Sequence, residues 1–254
     1  MKWKRYLLAA VLMLIPGILE ILQAFRGYEG QFFELPSYGN FLVKWLQGMP
    51  LVTGSNERQL KIPIEWFVLH GGYLMTIVGY CTQSLTQSSS YELLCSGKRA
   101  RWWSAKCRWL VKNTILYYGM FYLLLLVFSA VTGDVSLNAS SEIWMGGLTY
   151  EKDMERMIMT FVLPVLASMC IGMMELLLEL VFSPAIALFL CSGYLLAGIF
   201  SNHALFVGNL TMLYRNEFYI GEKGIGTGAG MIAIMGGMIL FYLLGREKMK
   251  RWEG

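Results

Sequence analysis

The chain is organised around residues 88–112, SSSYELLCSGKRARWWSAKCRWLVK, which we call the basic segment. Ser89 and Glu92 stand three residues apart, the spacing of a capping box in which each side chain satisfies a backbone N–H at a helix start. Gly97 supplies the left-handed position at which many helices end. The spacing therefore predicts a short helix over residues 90–96. The basic residues and tryptophans of the segment are Lys98, Arg99, Arg101, Lys106, Arg108 and Lys112, with Trp102, Trp103 and Trp109.

The rest of the chain is mostly apolar. Of its 254 residues, 56% are hydrophobic and only 15% are charged, against about 25% charged in an ordinary soluble domain. A membrane-spanning helix needs about 20 mostly apolar residues. Six such segments are found, at residues 6–25, 64–85, 113–133, 157–182, 183–200 and 230–245. We therefore predict an all-α membrane protein with six transmembrane helices, forming a single transmembrane domain over residues 1–254. The basic residues are explained by membrane topology, so no nucleic-acid partner is expected.

The distribution of Lys and Arg predicts the orientation, because cytoplasmic loops of membrane proteins are enriched in these residues. With the N-terminus inside, 13 of the 21 basic residues fall in inner segments and 8 in outer ones. Both termini and the short helix between spans two and three are then cytosolic. Residues 201–229 are too polar to span and too apolar for a plain loop, so we expect broken half-helices that re-enter the outer leaflet before the sixth span. For residues 26–63 we favour a segment lying on the outer membrane surface, with cargo gating as the alternative.

The second predicted span carries polar side chains at helical spacing. His70, Tyr73, Thr76, Tyr80 and Gln83 recur every three or four residues, so they share one face, which we call the polar face. Polar groups in hydrocarbon need partners or water, and we expect this face to point inward. A hydrogen-bonded helix–helix contact and a substrate-facing surface are equal alternatives. His70 is interpreted as a packing residue, and no metal site is predicted.

The fourth predicted span contains an acidic pair, Glu175 and Glu179, on one helical face. Ionisable groups at membrane depth are costly and face the protein interior. One interpretation is a proton or cation site. The other, which we favour, is a structural anchor that Arg or Lys of the basic segment would reach at the cytosolic end.

Nucleotide-binding and hydrolase motifs are not found. The glycine-rich run at residues 224–230 lacks the G-x-G-x-x-G spacing of a strand–turn–helix unit. Ser96-Gly97-Lys98 lacks the upstream glycine of a P-loop, because position 92 is Glu. Neither HExxH nor G-x-S-x-G occurs, and the five cysteines include no C-x-x-C pair. We therefore predict no ATPase site, no other catalytic residue and no cofactor in this chain.

In the order of its segments the chain resembles the membrane subunit of ABC-2-type ABC transporters. Two stretches carry this resemblance: Tyr91-Glu92-Leu93-Leu94 with Gly97-Lys98-Arg99 and Trp102-Trp103, and Gly208-Asn209-Leu210 with Met212-Leu213-Tyr214-Arg215. Its size and its lack of an ATPase domain are similar to those of the separate permease subunits of bacterial exporters of lantibiotics and other peptides, including self-immunity systems.

The resemblance implies a function and partners. Two such permeases, identical or related, would pair in the bacterial cell membrane, each resting on a cytosolic ATP-binding subunit that carries ATP and Mg. A peptide or amphiphilic compound would be exported between them, partly along the polar face. The chain departs from the family in having only a few residues before the first span. The coupling helix that docks into the ATPase would comprise Ser89, Ser90, Tyr91, Glu92, Leu93 and Leu94.

Two other classes of function stay open. In the first, the chain is a membrane sensor or immunity protein that binds a peptide without ATP. In the second it is an ion-coupled carrier or intramembrane enzyme that uses Glu175 and Glu179 together with His70. Co-purification of an ATPase separates the permease from both.

Overall fold

The computed structural model describes residues 3–26, 37–50, 63–87, 99–132, 135–137, 157–201, 203–217 and 224–251. In these ranges the regular structure is helical, apart from one isolated parallel β-bridge between Asn216 and Ile225. The chain also has a π-helical turn, Ile158–Val162, and two 3₁₀ turns, Val207–Thr211 and Leu213–Arg215. The α-helices are α1 (Trp3–Arg26), α2 (Tyr38–Leu46), α3 (Ile64–Ile77), α4 (Tyr80–Gln87), α5 (Arg99–Thr132), α6 (Leu163–Glu179), α7 (Pro184–Phe200) and α8 (Thr227–Lys250).

The outer surface of the protein is unusually apolar. Three stretches are long and apolar enough to cross a bilayer, Arg99–Val131, Ile158–Glu179 and Thr227–Lys250, and α7 is apolar but shorter. Large apolar side chains are exposed along α1, α5, α7 and α8, whereas buried positions include the acidic pair. A soluble monomer rarely exposes apolar patches larger than a few hundred Å². The length and composition of these helices therefore indicate a membrane protein.

Helix α5 begins well before the predicted third span at residues 113–133. It runs from Arg99 to Thr132, 34 residues, or about 51 Å at 1.5 Å per residue, which exceeds the roughly 30 Å of a hydrocarbon core. Residues 99–112, predicted as part of a cytosolic loop, are thus the first turns of this helix. The loop prediction failed because Trp102, Trp103 and Cys107 are buried, and their packing outweighs the basic charge around them.

Trp103 attaches the start of α5 to the end of α8. Its Nε1 donates to the Tyr242 carbonyl oxygen at 2.9 Å, and the Ser104 Oγ lies 2.9 Å from the Tyr242 Oη. Gly245 permits this approach, because a Cβ at that position would lie 2.1 Å from the Trp103 ring. The N-terminal end of α5 and the C-terminal end of α8 therefore lie at the same end of the bundle.

Lys106 extends this contact toward α4. Its Nζ lies 4.7 Å from the centroid of the Tyr80 ring and 5.0 Å from that of Trp102, within the range of cation–π attraction. The Tyr80 ring is also stacked on Trp109, with 3.4 Å between centroids. The first turns of α5 thus contact α4 and α8 through aromatic rings.

Helix α2 lies inside the protein, in contrast to the predicted surface segment at residues 26–63. Ser37 caps it, with Oγ accepting from the Asn40 N–H at 3.2 Å. Almost every side chain of α2 is buried, and Trp45 contacts Phe121 of α5 edge-on at 5.4 Å. Phe41 and Trp45 are buried, and α2 packs against α3 and α5.

The two 3₁₀ turns replace the predicted half-helices, and buried Arg215 joins them to the bundle. Its Nε donates to the Met49 carbonyl oxygen and its Nη1 to that of Ser201, each at 2.9 Å, while Nη2 donates to Ile199. Carbonyl groups at a helix C-terminus attract positive charge, and Ile199 and Ser201 end α7. Burial lowers the pKa of Arg215, but arginine stays protonated in proteins.

Arg215→Met should destabilise the folded chain by roughly 2–5 kcal/mol, because three buried carbonyl oxygens lose their charged donor. The measurement is SDS-titrated unfolding in mixed micelles, followed by circular dichroism. Arg108→Met, at an exposed position of α5, is the matched control and should stay within about 0.5 kcal/mol of the parent. Equal losses in the two variants would contradict the structural role of Arg215.

Candidate functional site at the break between α3 and α4

The predicted second span, residues 64–85, is not one continuous helix. Helix α3 ends at Ile77 and α4 begins at Tyr80. Between them Gly79 has a φ of 74°, in the left-handed region that glycine enters without a Cβ penalty. Such a break frees backbone N–H and C=O groups, and these must find partners where water is absent.

Two charged side chains satisfy the backbone at this break. Glu179 Oε2 accepts from the Cys81 N–H at 2.9 Å, and its Oε1 accepts from the Gly79 N–H. From the other side, the Arg5 guanidinium donates to the Val78 carbonyl oxygen. The carboxylate thus lies at the start of α4 and the guanidinium at the end of α3, as the helix dipoles favour.

Glu179 is therefore an anchor, but its partners differ from the predicted ones. The sequence suggested Arg or Lys of the basic segment. In the described part of the chain the hydrogen bonds of Glu179 come from the backbone of the break instead. The reason is geometric. The N–H groups freed at the break already converge on the Glu179 carboxylate, and a Lys or Arg side chain would have to displace them.

Glu175 lies one turn earlier in α6 and has a different environment. Its side chain is fully buried, and neither carboxylate oxygen has a hydrogen-bond partner among the described residues. An unpaired ionised carboxylate is costly to bury, so this environment favours the neutral acid. Glu179 is thus held by backbone donors, whereas Glu175, four residues earlier, has no hydrogen-bond donor among the described residues.

At the other end of the polar face, His70 is held by hydroxyl groups. Its Nε2 lies 3.0 Å from Thr211 Oγ1, and its Nδ1 lies 3.0 Å from Ser168 Oγ and 3.2 Å from Tyr118 Oη. Thr211 donates its only hydroxyl proton to the Gly208 carbonyl oxygen at 2.8 Å, so it must accept from His70. His70 is therefore protonated on Nε2, and its Nδ1 accepts.

Both ring nitrogens of His70 are thus engaged, and neither is free to ligate a metal. The Thr211 hydroxyl also accepts from Trp66 Nε1 at 2.7 Å. Among the described residues there is no group of three or more His, Cys, Asp or Glu that could hold a metal ion. His70 is a hydrogen-bonded packing residue in this structure.

The middle of the polar face is also a contact between helices. Tyr73 Oη lies 2.7 Å from Thr114 Oγ1, and Thr114 donates to the Leu110 carbonyl oxygen at 2.9 Å, so Tyr73 is the donor. Thr76 Oγ1 donates to the Tyr73 carbonyl oxygen at 2.7 Å and accepts from Asn113 Nδ2 at 3.2 Å. These bonds join α3 to α5.

The polar face therefore divides into two parts. His70 and Tyr73 are buried in contacts between helices, whereas Gln83 is exposed. Three members of the face lie beside a cavity of about 70 Å³ next to the helix break. A path for substrate stays a prediction for these three. The lining residues are Arg5, Tyr6, Thr76, Tyr80, Gln83, Trp109 and Asn113.

The predicted coupling helix lies outside the described residues. All six of its members, Ser89, Ser90, Tyr91, Glu92, Leu93 and Leu94, fall within residues 88–98. The described neighbours are α4, which ends at Gln87, and α5, which begins at Arg99. The predicted coupling helix thus connects the segment after the helix break to the segment attached to α8.

Comparison with known proteins gives no match: no family model, no curated protein and no solved structure matches the chain. Proposals about its function therefore depend on the geometry described above and on the sequence resemblance.

The sequence left two parts of this site unassigned. Arg5 contributed only to the charge count that set the orientation, yet it contacts the backbone of the break. Gly79 stands inside the predicted span, directly before the polar residues Tyr80, Thr82 and Gln83. A glycine followed by polar residues inside an apolar helix signals a break, and this signal would have identified the site.

Glu179→Gln should destabilise the folded chain by roughly 1–3 kcal/mol, because the amide offers one acceptor oxygen to two backbone donors and turns its own NH₂ toward one of them. Glu175→Gln is the matched control, since it makes the same change one turn away where no bond is lost. It should stay within about 0.5 kcal/mol of the parent. Unfolding by SDS titration measures both, and a larger loss for Glu175→Gln would contradict the assignment of roles.

Proposed function

We propose that this chain is the membrane-spanning permease subunit of an ATP-driven transporter of the ABC-2 type in a bacterial cell membrane. It exports a peptide or amphiphilic compound and is powered by a separate cytosolic ATP-binding subunit. The construction of α5 is the observation that carries the proposal. Its basic, Trp-rich first turns continue directly into a membrane-length apolar helix, and Trp103 attaches them to α8.

This construction supports a mechanism of energy transfer. ATP-driven closure of the ATPase pair has to favour one of two packings of the permease bundle. A helix of about 51 Å that is docked on α8 carries a displacement of its basic end into the bundle, whereas a loop would absorb it. The predicted coupling helix would push on α4 at one end and on α5 at the other.

We further propose six spans with both ends of the chain in the cytosol. The spans are α1, α3 with α4, α5, α6 with its π-helical turn, α7 and α8. The contacts of Arg5 with the break and of Trp103 with α8 support this arrangement, because they gather basic residues at one end of the bundle. Arg215 and α2 gather at the other end. A second permease, identical or related, would complete the transport path.

Cysteine labelling tests this orientation. Glu217→Cys should react with a membrane-impermeant maleimide in intact cells, and Arg101→Cys should react only after permeabilisation, because we propose that these exposed positions lie on opposite sides. Both substitutions are made in a Cys95→Ser chain, which is the blank, since the other four cysteines are buried. External labelling of Arg101→Cys in intact cells would reverse the orientation and remove the basis for a cytosolic coupling helix.

Purification in mild detergent tests the partner. The parent chain should co-purify with a P-loop ATPase, and Leu93→Asp combined with Leu94→Asp should lower its recovery by at least about tenfold, because two carboxylates would be buried in the docking groove. Lys248→Glu is the control, a charge reversal at an exposed position of α8 at the same end of the bundle. If no P-loop protein is recovered with the parent chain, the permease proposal fails. If the double variant retains full recovery, the coupling helix is wrongly assigned.

One observation favours a second candidate, an ion-coupled carrier. Glu175 is buried without a partner among the described residues, one helical turn from a second acid, Glu179. The variant Glu175→Gln separates the two candidates in transport assays. The permease proposal expects ATP-dependent export to continue at the parent rate, whereas a carrier that moves protons through Glu175 loses transport.

A further inference from the structure

A second cavity lies on the other side of α6 from the helix break. It is enclosed by α6, α7, the chain that follows α7 and α8, and its volume is about 350 Å³, against about 70 Å³ at the break. Ligand pockets in proteins begin at about 300 Å³, so the larger cavity has room for a molecule. The candidate site described above contributes no residue to it.

The described residues that line this cavity are mostly apolar. Two of the lining residues, Cys170 and Tyr194, have titratable side chains. The Tyr194 hydroxyl donates to the Leu205 carbonyl oxygen and accepts from the Val207 N–H at 2.9 Å, so it is occupied within the protein. A buried water needs two to four polar partners, and apolar cavities stay dry. The cavity therefore excludes water and selects hydrocarbon.

The cavity exists because α8 carries small residues where it faces α6 and α7. A Cβ at Gly236 would meet nothing within 4 Å, whereas a Cβ at Gly237 would lie 2.8 Å from Cys170 Sγ. At the mouth, Leu205 and Leu240 are 72% and 53% exposed. The empty space thus begins at the outer surface of the bundle and ends at buried Cys170.

The position of the cavity along α8 indicates what surrounds its mouth. The lining residues of α8 extend from Ala233 to Phe241, in the middle of the apolar helix Thr227–Lys250. In a spanning helix this position lies in the hydrocarbon core, where the neighbours are lipid tails rather than headgroups. Among the described residues that line the cavity, none carries a charged side chain that could bind a headgroup.

We infer that this cavity binds one acyl chain of a membrane lipid. An apolar cavity of about 150 Å³ accommodates benzene, so a volume more than twice as large accommodates a longer hydrocarbon segment. The chain enters beside Leu240, passes Gly236 and ends against Cys170. It packs between α6, α7 and α8, so its presence stabilises the arrangement of these helices. This inference holds whether or not the protein is an ABC permease.

Photo-crosslinking tests the inference on the full chain reconstituted in phosphatidylcholine. The probe is phosphatidylcholine with a diazirine midway along one acyl chain, and peptide mass spectrometry locates the adducts. Adducts are expected on Cys170, which is 1% exposed and out of reach of lipids on the outer surface. Gly236→Leu, which fills the cavity, should lower them by at least fivefold. Gly119→Leu is the matched control, because a Cβ there also meets nothing within 4 Å and Gly119 does not line the cavity.

A second probe makes the test independent of the variants. Phosphatidylcholine with the diazirine beside the glycerol backbone should give at least fivefold fewer Cys170 adducts than the mid-chain probe, because the cavity lies at mid-depth. Equal adducts from the two probes would overturn the inference, as would undiminished adducts in a folded Gly236→Leu variant. Absence of adducts from Cys170 in the parent chain, the result expected if a second copy covered the mouth, would overturn it too.

Discussion

Backbone groups inside this protein have to find partners without water, and charged side chains meet that requirement at two places. At the break between α3 and α4, Glu179 accepts from freed N–H groups and Arg5 donates to a freed carbonyl. At the end of α7, Arg215 donates to three carbonyl groups. In a soluble protein, water would serve these groups. Among lipids each interruption of a helix needs its own partner, so these charges determine where the chain can leave helical structure.

Hydroxyl groups determine which helices are neighbours. Lipid tails are as apolar as leucine, so burial of apolar side chains does little to choose one helix partner over another. The bonds from His70 to Thr211 and Ser168, and from Tyr73 to Thr114, connect α3 to α5, α6 and the first 3₁₀ turn. Every side chain named in this network has a hydrogen-bond partner, and satisfied buried networks favour one packing over others. The part of the polar face that contains His70 and Tyr73 therefore helps to determine which helices pack together.

The positions of the helices followed from composition, but their interruptions and contacts did not. An apolar run of about 20 residues has few structural choices, which is why each of the six predicted segments is mostly helical where the structure describes it, apart from the break at Val78 and Gly79 and the turn after Glu179. Gly79 was hidden inside such a run, and the burial of Trp103 needed Gly245, which is distant in sequence. Arg215 resembled any loop charge until the carbonyl groups around it were known. Periodicity records which side chains are apolar, not which backbone groups lack a partner.

The contacts at the basic end of the bundle are of two kinds, and this difference bears on motion. Trp103 joins α5 to α8 directly, and the stacked rings of Tyr80 and Trp109 join α4 to α5. At the same end, α4 is separated from α3 by Gly79, and carboxylate and guanidinium bonds cross the break. Hydrogen bonds to a charge tolerate rotation better than an interdigitated ring contact does, because close-packed rings have no room to turn. A displacement of α4 or α5 therefore bends the chain at the break first, while α4, α5 and α8 move together.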